Sequence, residues 1–145
     1  MSKSNYLENK ILEHVLSVTS MSMPANVYLG LLSAVNTAND TYTEIPASGN
    51  YSATDLNGAV TSGDRPEITF GTASNGQIQG PVNDIEFDNN SGGQFTVAGF
   101  AIYDSANSTG NNEVLYYGAL SSPKTIDNLD SIRFEASSSI TISEE

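Results

Sequence analysis

The chain contains no cysteine and no tryptophan, one histidine, and only five Lys and Arg residues against 17 Asp and Glu. Without cysteine there are no disulfides, thiol nucleophiles or thiolate metal sites. With a single histidine as well, zinc and haem have no donor set to draw on. Five cations on a chain of formal net charge −12 cannot neutralise a run of phosphates, which argues against nucleic acid as a partner. An anionic membrane surface would repel the same charge. No apolar run approaches the ~20 residues that span a bilayer. The opening MSKSNYLENKILEHVLS lacks the continuous apolar stretch of a signal peptide. The expectation is a protein made and assembled in a cytoplasm.

What is present is uncharged polarity. Apolar residues make up 38% and charged residues 15% of the sequence, and Ser, Thr, Asn and Gly dominate the remainder. That balance suits β-strands with polar outer faces and many turns. A chain of 145 residues is expected to form one domain, 1–145, able to bury about two-thirds of its unfolded surface without a metal or disulfide.

Only one segment has helical periodicity. Leu7, Ile11, Val15 and Val18, widened by Leu12 and Leu16, form a stripe that predicts a helix over about 5–18. Asn5 with Glu8 resembles a capping box, and the Ser/Thr run before Pro24 ends the pattern. The helix can cover the open end of its own fold or dock on a neighbouring subunit. Val27 to Leu32 reads as a strand. The polar stretch 33–65, with its PASGN and NGAVTSGDRP breakers, reads mostly as long surface loop, with one possible strand near Tyr51.

From residue 67 to 143 strand signals recur. Ile68 and Phe70 alternate with polar residues, and Ile85 and Phe87 alternate with Asp84 and Glu86. FTVAGFAIY (95–103) is apolar enough for a central strand covered on both faces, and VLYYGAL (114–120) is similar. Ile132 and Phe134, then Ile140 and Ile142, close the chain with period-2 alternation. Turn chemistry separates these runs at 74–77, 88–93, 104–112 and 127–130. The expected fold is mainly β: an antiparallel, jelly-roll-like β-sandwich with one N-terminal α-helix.

The search for chemistry yields no catalytic, cofactor-binding or metal residue. His14 sits in the helix beside Glu13 with no nucleophile near it in sequence. The Asp88–Gly93 loop has calcium-like oxygens at Asp88 and Asn90, but Gly99 stands where an EF-hand needs its bidentate glutamate, so a hairpin turn is preferred. Asp84 and Glu86 share a strand's solvent face, and Glu144 and Glu145 end the chain; neither pair implies acid–base work. Tyr103, Tyr116 and Tyr117 are core or interface candidates. Because Tyr116 and Tyr117 are consecutive, one is expected to point away from the core.

The segments VYLGLLSA (27–34), TEIPASGNY (43–51), ITFGTAS (68–74), NDIEF (83–87), GFAIYD (99–104), LYYGALSSPKTI (115–126), DSIRFEA (130–136) and ITI (140–142) stand in an order that resembles a family of small tailed-bacteriophage virion proteins, the tail-fibre-like or head-decoration proteins. The family pattern places a basic residue soon after the tyrosine. Here Ser-Ala-Thr-Asp follows Tyr51, and the first arginine is Arg65. The resemblance implies a β-sandwich virion component, a homotrimer or other symmetric oligomer, without cofactor or activity. The first-ranked reading is a capsid decoration (cement) protein on the major capsid protein. Its alternative is a tail component (fibre, baseplate or adaptor) among neighbouring tail proteins, able to contact a receptor. A carbohydrate-binding or hydrolytic module ranks third, since the chain has no Trp and no carboxylate pair at glycosidase spacing.

Overall fold

The computed structural model describes residues 1–54, 60–108, 113–137 and 139–143. The strands are β1 (Ser2–Lys3), β2 (Val27–Asn36), β3 (Thr41–Glu44), β4 (Tyr51–Thr54), β5 (Val60–Ser62), β6 (Glu67–Ile68), β7 (Gln77–Gly80), β8 (Ile85–Asn89), β9 (Phe95–Tyr103), β10 (Val114–Ile126), β11 (Ser131–Phe134) and β12 (Ile140–Ser143). The one helix among the described residues, α1, spans Asn5–Val15.

The strands form an antiparallel sandwich, as the sequence patterning predicts. The larger sheet runs β1-β10-β9-β2-β3, with β6 also on β2. The smaller runs β11-β8-β4-β5, and β7 and β12 pair as a separate ribbon. An aromatic row runs across the smaller sheet, Tyr51 against Phe87 at 5.2 Å and Phe87 against Phe134 at 5.9 Å, and Phe134 meets Phe100 of the larger sheet at 5.6 Å, all edge to face. This geometry suits the ring quadrupoles better than a face-to-face stack.

Strand β9 is covered on both faces, as its apolar run implies. Phe100 and Ile102 point into the main core, while alternate residues Ala101 and Tyr103 join Leu32, Val114 and Tyr117 in a second, smaller cluster. The same alternation resolves the tyrosine pair differently from the expectation. Tyr117 is buried in the small cluster and Tyr116 packs on the main core, so both faces of β10 are apolar and neither ring is surplus.

Three boundaries differ from the sequence reading. The polar stretch 33–65 carries β4 at the strand expected near Tyr51, but also the end of β2 and strands β3 and β5; in β4 Tyr51 and Ala53 are buried while Ser52 and Thr54 are half-buried, an alternation thinned by small and hydroxylated residues. Strand β10 continues to Ile126, slipping register between Ala119 and Lys124 around Pro123, which lacks a ladder N–H. Helix α1 stops at Val15. Ser17 turns left-handed (φ 60°), and the bonds Ser17 N to His14 O and Val18 N to Glu13 O form a Schellman closure that satisfies two of the carbonyls in the last turn. The cap is Ser4, not Asn5: its hydroxyl accepts from Leu7 N at 3.2 Å.

Candidate functional site

Three features of the molecule go beyond core packing. The first is an arginine clamp. Glu44 ends β3 and Arg65 lies between β5 and β6, and the fold brings them together across 21 residues. Arg65 Nε donates to Glu44 Oε1 at 2.6 Å and Nη2 to Oε2 at 2.7 Å, the bidentate match of a planar guanidinium to a carboxylate. Nη1 donates to the carbonyls of Ser105 and Asn107 at 2.8 and 2.9 Å. The backbone follows, with Arg65 N bonded to Ala106 O. The Arg65 side chain is 1% exposed, so one buried cation fastens three loop segments at one end of the sandwich. Burial, and then the Glu44 carboxylate, push the Tyr103 and Tyr51 hydroxyls well above the ordinary tyrosine range, while Arg65 pulls the other way.

The second feature fixes the helix. Asp40, at the β2–β3 turn, accepts from Asn5 N at 3.0 Å, a carboxylate placed at the positive end of α1. Tyr117 also hydrogen-bonds Asp40, and its hydroxyl is pushed up to about 12, chiefly by burial and then by that bond. The Tyr42 ring lies 5.1 Å from Tyr117. Ser4 N bonds Leu115 O at 3.0 Å, so α1 is held against β10 of its own sheet.

The third is apolar. Of the apolar stripe along the helix, only Leu7 is buried. Leu12, Val15, Leu16 and Val18 are exposed, as is Met23. Leu7 and Ile11 instead border an apolar pocket of about 400 Å³, shared with Met21, Met23, Phe70 and Ile78. His14 has a local task there: its Nδ1 accepts from Met21 N at 3.2 Å, folding the post-helix segment back.

Other expected candidates resolve into structure. Asn89 is fully buried; its amide donates to the carbonyls of Gly93 and Ile126 at 2.8 and 2.9 Å, and its Oδ1 accepts from Ser91 N and Oγ. The 88–93 loop is therefore organised by an amide from within. Asp84 is paired with Arg133 and accepts from Ala136 N at 2.7 Å. Among the described residues no group of three or more His, Asp or Glu side chains could hold a metal ion, and no helix is long and apolar enough to cross a membrane. Glu144, Glu145 and part of the 104–112 turn lie outside the described residues.

Sequence reasoning missed the Arg65–Glu44 pair and Asn89. The available signal was slight: Arg65 is the first arginine in the chain, and it reaches a glutamate of the TEIPASGNY segment. A family model described as podophage GP4 fiber I protein gp80 matches residues 2–143 of the chain. No curated protein matches it.

Proposed function

The chain belongs to the podophage GP4 fiber I protein gp80 family, a family of tailed-bacteriophage virion proteins, and from that membership we propose that it is a tail-fibre component of the particle, working by assembly and not by catalysis. The observation that carries this reading is a fibre-family match along nearly the whole chain, residues 2–143. It favours the tail reading over capsid decoration, which the sequence alone ranked first. The groups that could have suggested chemistry have structural tasks: Arg65 and Glu44 clamp loops, His14 closes the helix, and Asp84 holds Arg133 and Ala136.

The partners we propose are further copies of the chain and neighbouring tail proteins. A surface of net charge −12 suits neither nucleic acid nor an anionic membrane. Loops fastened by a buried clamp keep their shape before contact, which lowers the ordering cost of association. Gold-labelled antibody on intact particles, with quantitative mass spectrometry of their protein content, tests the assignment. Label confined to the tail, in a number suited to a tail ring, is the expected result. Label spread over the head in lattice-like number would replace the fibre reading with the decoration one.

A further inference from the structure

We propose that the exposed face of α1 and its closing turn, formed by Leu12, Val15, Leu16, Val18 and Met23, is a self-association surface that meets the same face on a second copy of the chain. The inference rests on the assembly reading above and gives it a location. These side chains are 58, 69, 69, 72 and 80% exposed, all within residues 12–23. The other large apolar side chains exposed among the described residues, Met1, Val82 and Leu129, come from separate parts of the chain. Positions 12, 15 and 16 are helix neighbours at i, i+3 and i+4. The Schellman closure turns Val18 back toward the last turns of α1. Exposed apolar side chains clustered at one helix end mark an interaction site more often than single scattered ones do.

Charge selects the occupant. From Val15 to Pro24 the sequence has no ionisable residue, although the chain as a whole carries −12. At the edge of the face, Glu13 is already paired with Lys10 at 3.2 Å; Glu8 lies one turn before Leu12. Two acidic copies can approach here without desolvating facing carboxylates, which is costly elsewhere. A cationic partner would gain nothing at an uncharged face and would choose another. An apolar patch is also its own complement, the requirement of an isologous contact.

Area sets the strength. At roughly 100 Å² for a fully exposed side chain of this size, the five residues offer roughly 350 Å² per copy, against about 800 Å² per partner in a stable complex. The contact is therefore reversible in solution and is reinforced when other contacts hold copies side by side.

Sedimentation velocity of the full chain over a concentration series tests this. Mass should rise with concentration and rise further in high salt, which screens acidic repulsion while leaving apolar contact intact. Leu16→Glu should remove the association with helix content and melting temperature unchanged. Leu12→Glu is the second variant, should the first unfold. Because the native chain has no cysteine, Leu16→Cys should give a covalent dimer on oxidation while Val82→Cys does not. A strictly monomeric parent, association that weakens with salt, association undiminished in both glutamate variants, or equal cross-linking from Val82→Cys would each overturn the proposal. None of these results bears on where gold label falls on the particle, so the two readings fail separately.

Discussion

The guanidinium carbon of Arg65 lies 3.6 Å from the centroid of the Tyr103 ring, so the cation that clamps the loops also closes the small core cluster from outside. One face of the guanidinium covers an aromatic ring while its edge supplies hydrogen bonds to Glu44 and two carbonyls. Lysine has the charge but neither the plane nor the fork. The loop end of the sandwich thus depends on a single side chain.

Arg65→Met should therefore be among the most damaging single substitutions, costing about 3–5 kcal/mol because Glu44 is left largely buried without its partner. Arg65→Lys should cost less but remain clearly destabilising. Pairing Arg65→Met with Glu44→Gln should recover part of the loss, since the orphaned charge goes with it. Urea unfolding midpoints of the four proteins decide the matter, and an Arg65→Met variant as stable as its parent would refute the clamp.

Gly30 makes room for the same arrangement from the other side. A Cβ at that position would sit 2.7 Å from Tyr103 Cε2 and 3.1 Å from Glu44 Oε1. Gly30→Ala should cost about 1–3 kcal/mol through overpacking. Its effect should combine non-additively with Arg65→Lys, because both displace the same ring and carboxylate. A double-mutant cycle by thermal unfolding gives the coupling, and simple additivity would show the two sites to be independent.

The parts of this molecule legible in the sequence are those with strong local patterns. FTVAGFAIY announced a doubly covered strand because its apolar run is unbroken. Ser74 to Gln77 announced a turn because Asn75 and Gly76 accept positive φ, observed at 51° and 73°. The strand near Tyr51 is β4, whereas β3 and β5 were obscured because their Thr and Ser residues supply little apolar contrast. The α1 stripe leaves its cover open for a different reason: its periodicity marks an apolar face, but periodicity cannot say whether the cover comes from the same chain. Glu44 and Arg65 have no local signature, since only the folded strands bring them together.

Asn89 supports a prediction about the 88–93 loop. Its amide donors face the carbonyls of Gly93 and Ile126, so Asn89→Asp would set a buried carboxylate against two acceptors. Asn89→Ala leaves those groups unpaired, at about 1–3 kcal/mol. The aspartate should be worse at neutral pH and should recover in acid, because protonation restores one donor and removes the charge. Calcium or a chelator should leave the parent's melting temperature unchanged, since Asp88 Oδ1 already accepts from Ser131 and Asn89 Oδ1 from Ser91. A calcium-dependent rise in melting temperature would overturn this account.

Alkaline pH should unfold the protein through its buried tyrosines. In the unfolded chain a tyrosine ionises near its ordinary value of 10.0, whereas folded Tyr117 keeps its proton up to about 12. The unfolded state therefore holds fewer protons between those values, and stability falls as pH rises through that window. Below about pH 10 the contribution is fully present. Tyr51 and Tyr103 are shifted in the same direction, so Tyr117→Phe should soften the alkaline decline without abolishing it. At neutral pH the same variant should lose about 1 kcal/mol with the hydrogen bond to Asp40. Tyrosinate absorbance and circular dichroism followed along one pH titration provide the check. The late-ionising tyrosines should appear together with loss of β signal. Ionisation of all seven tyrosines near their ordinary value, in a chain that keeps its β signal, would show that burial does not hold these hydroxyls protonated.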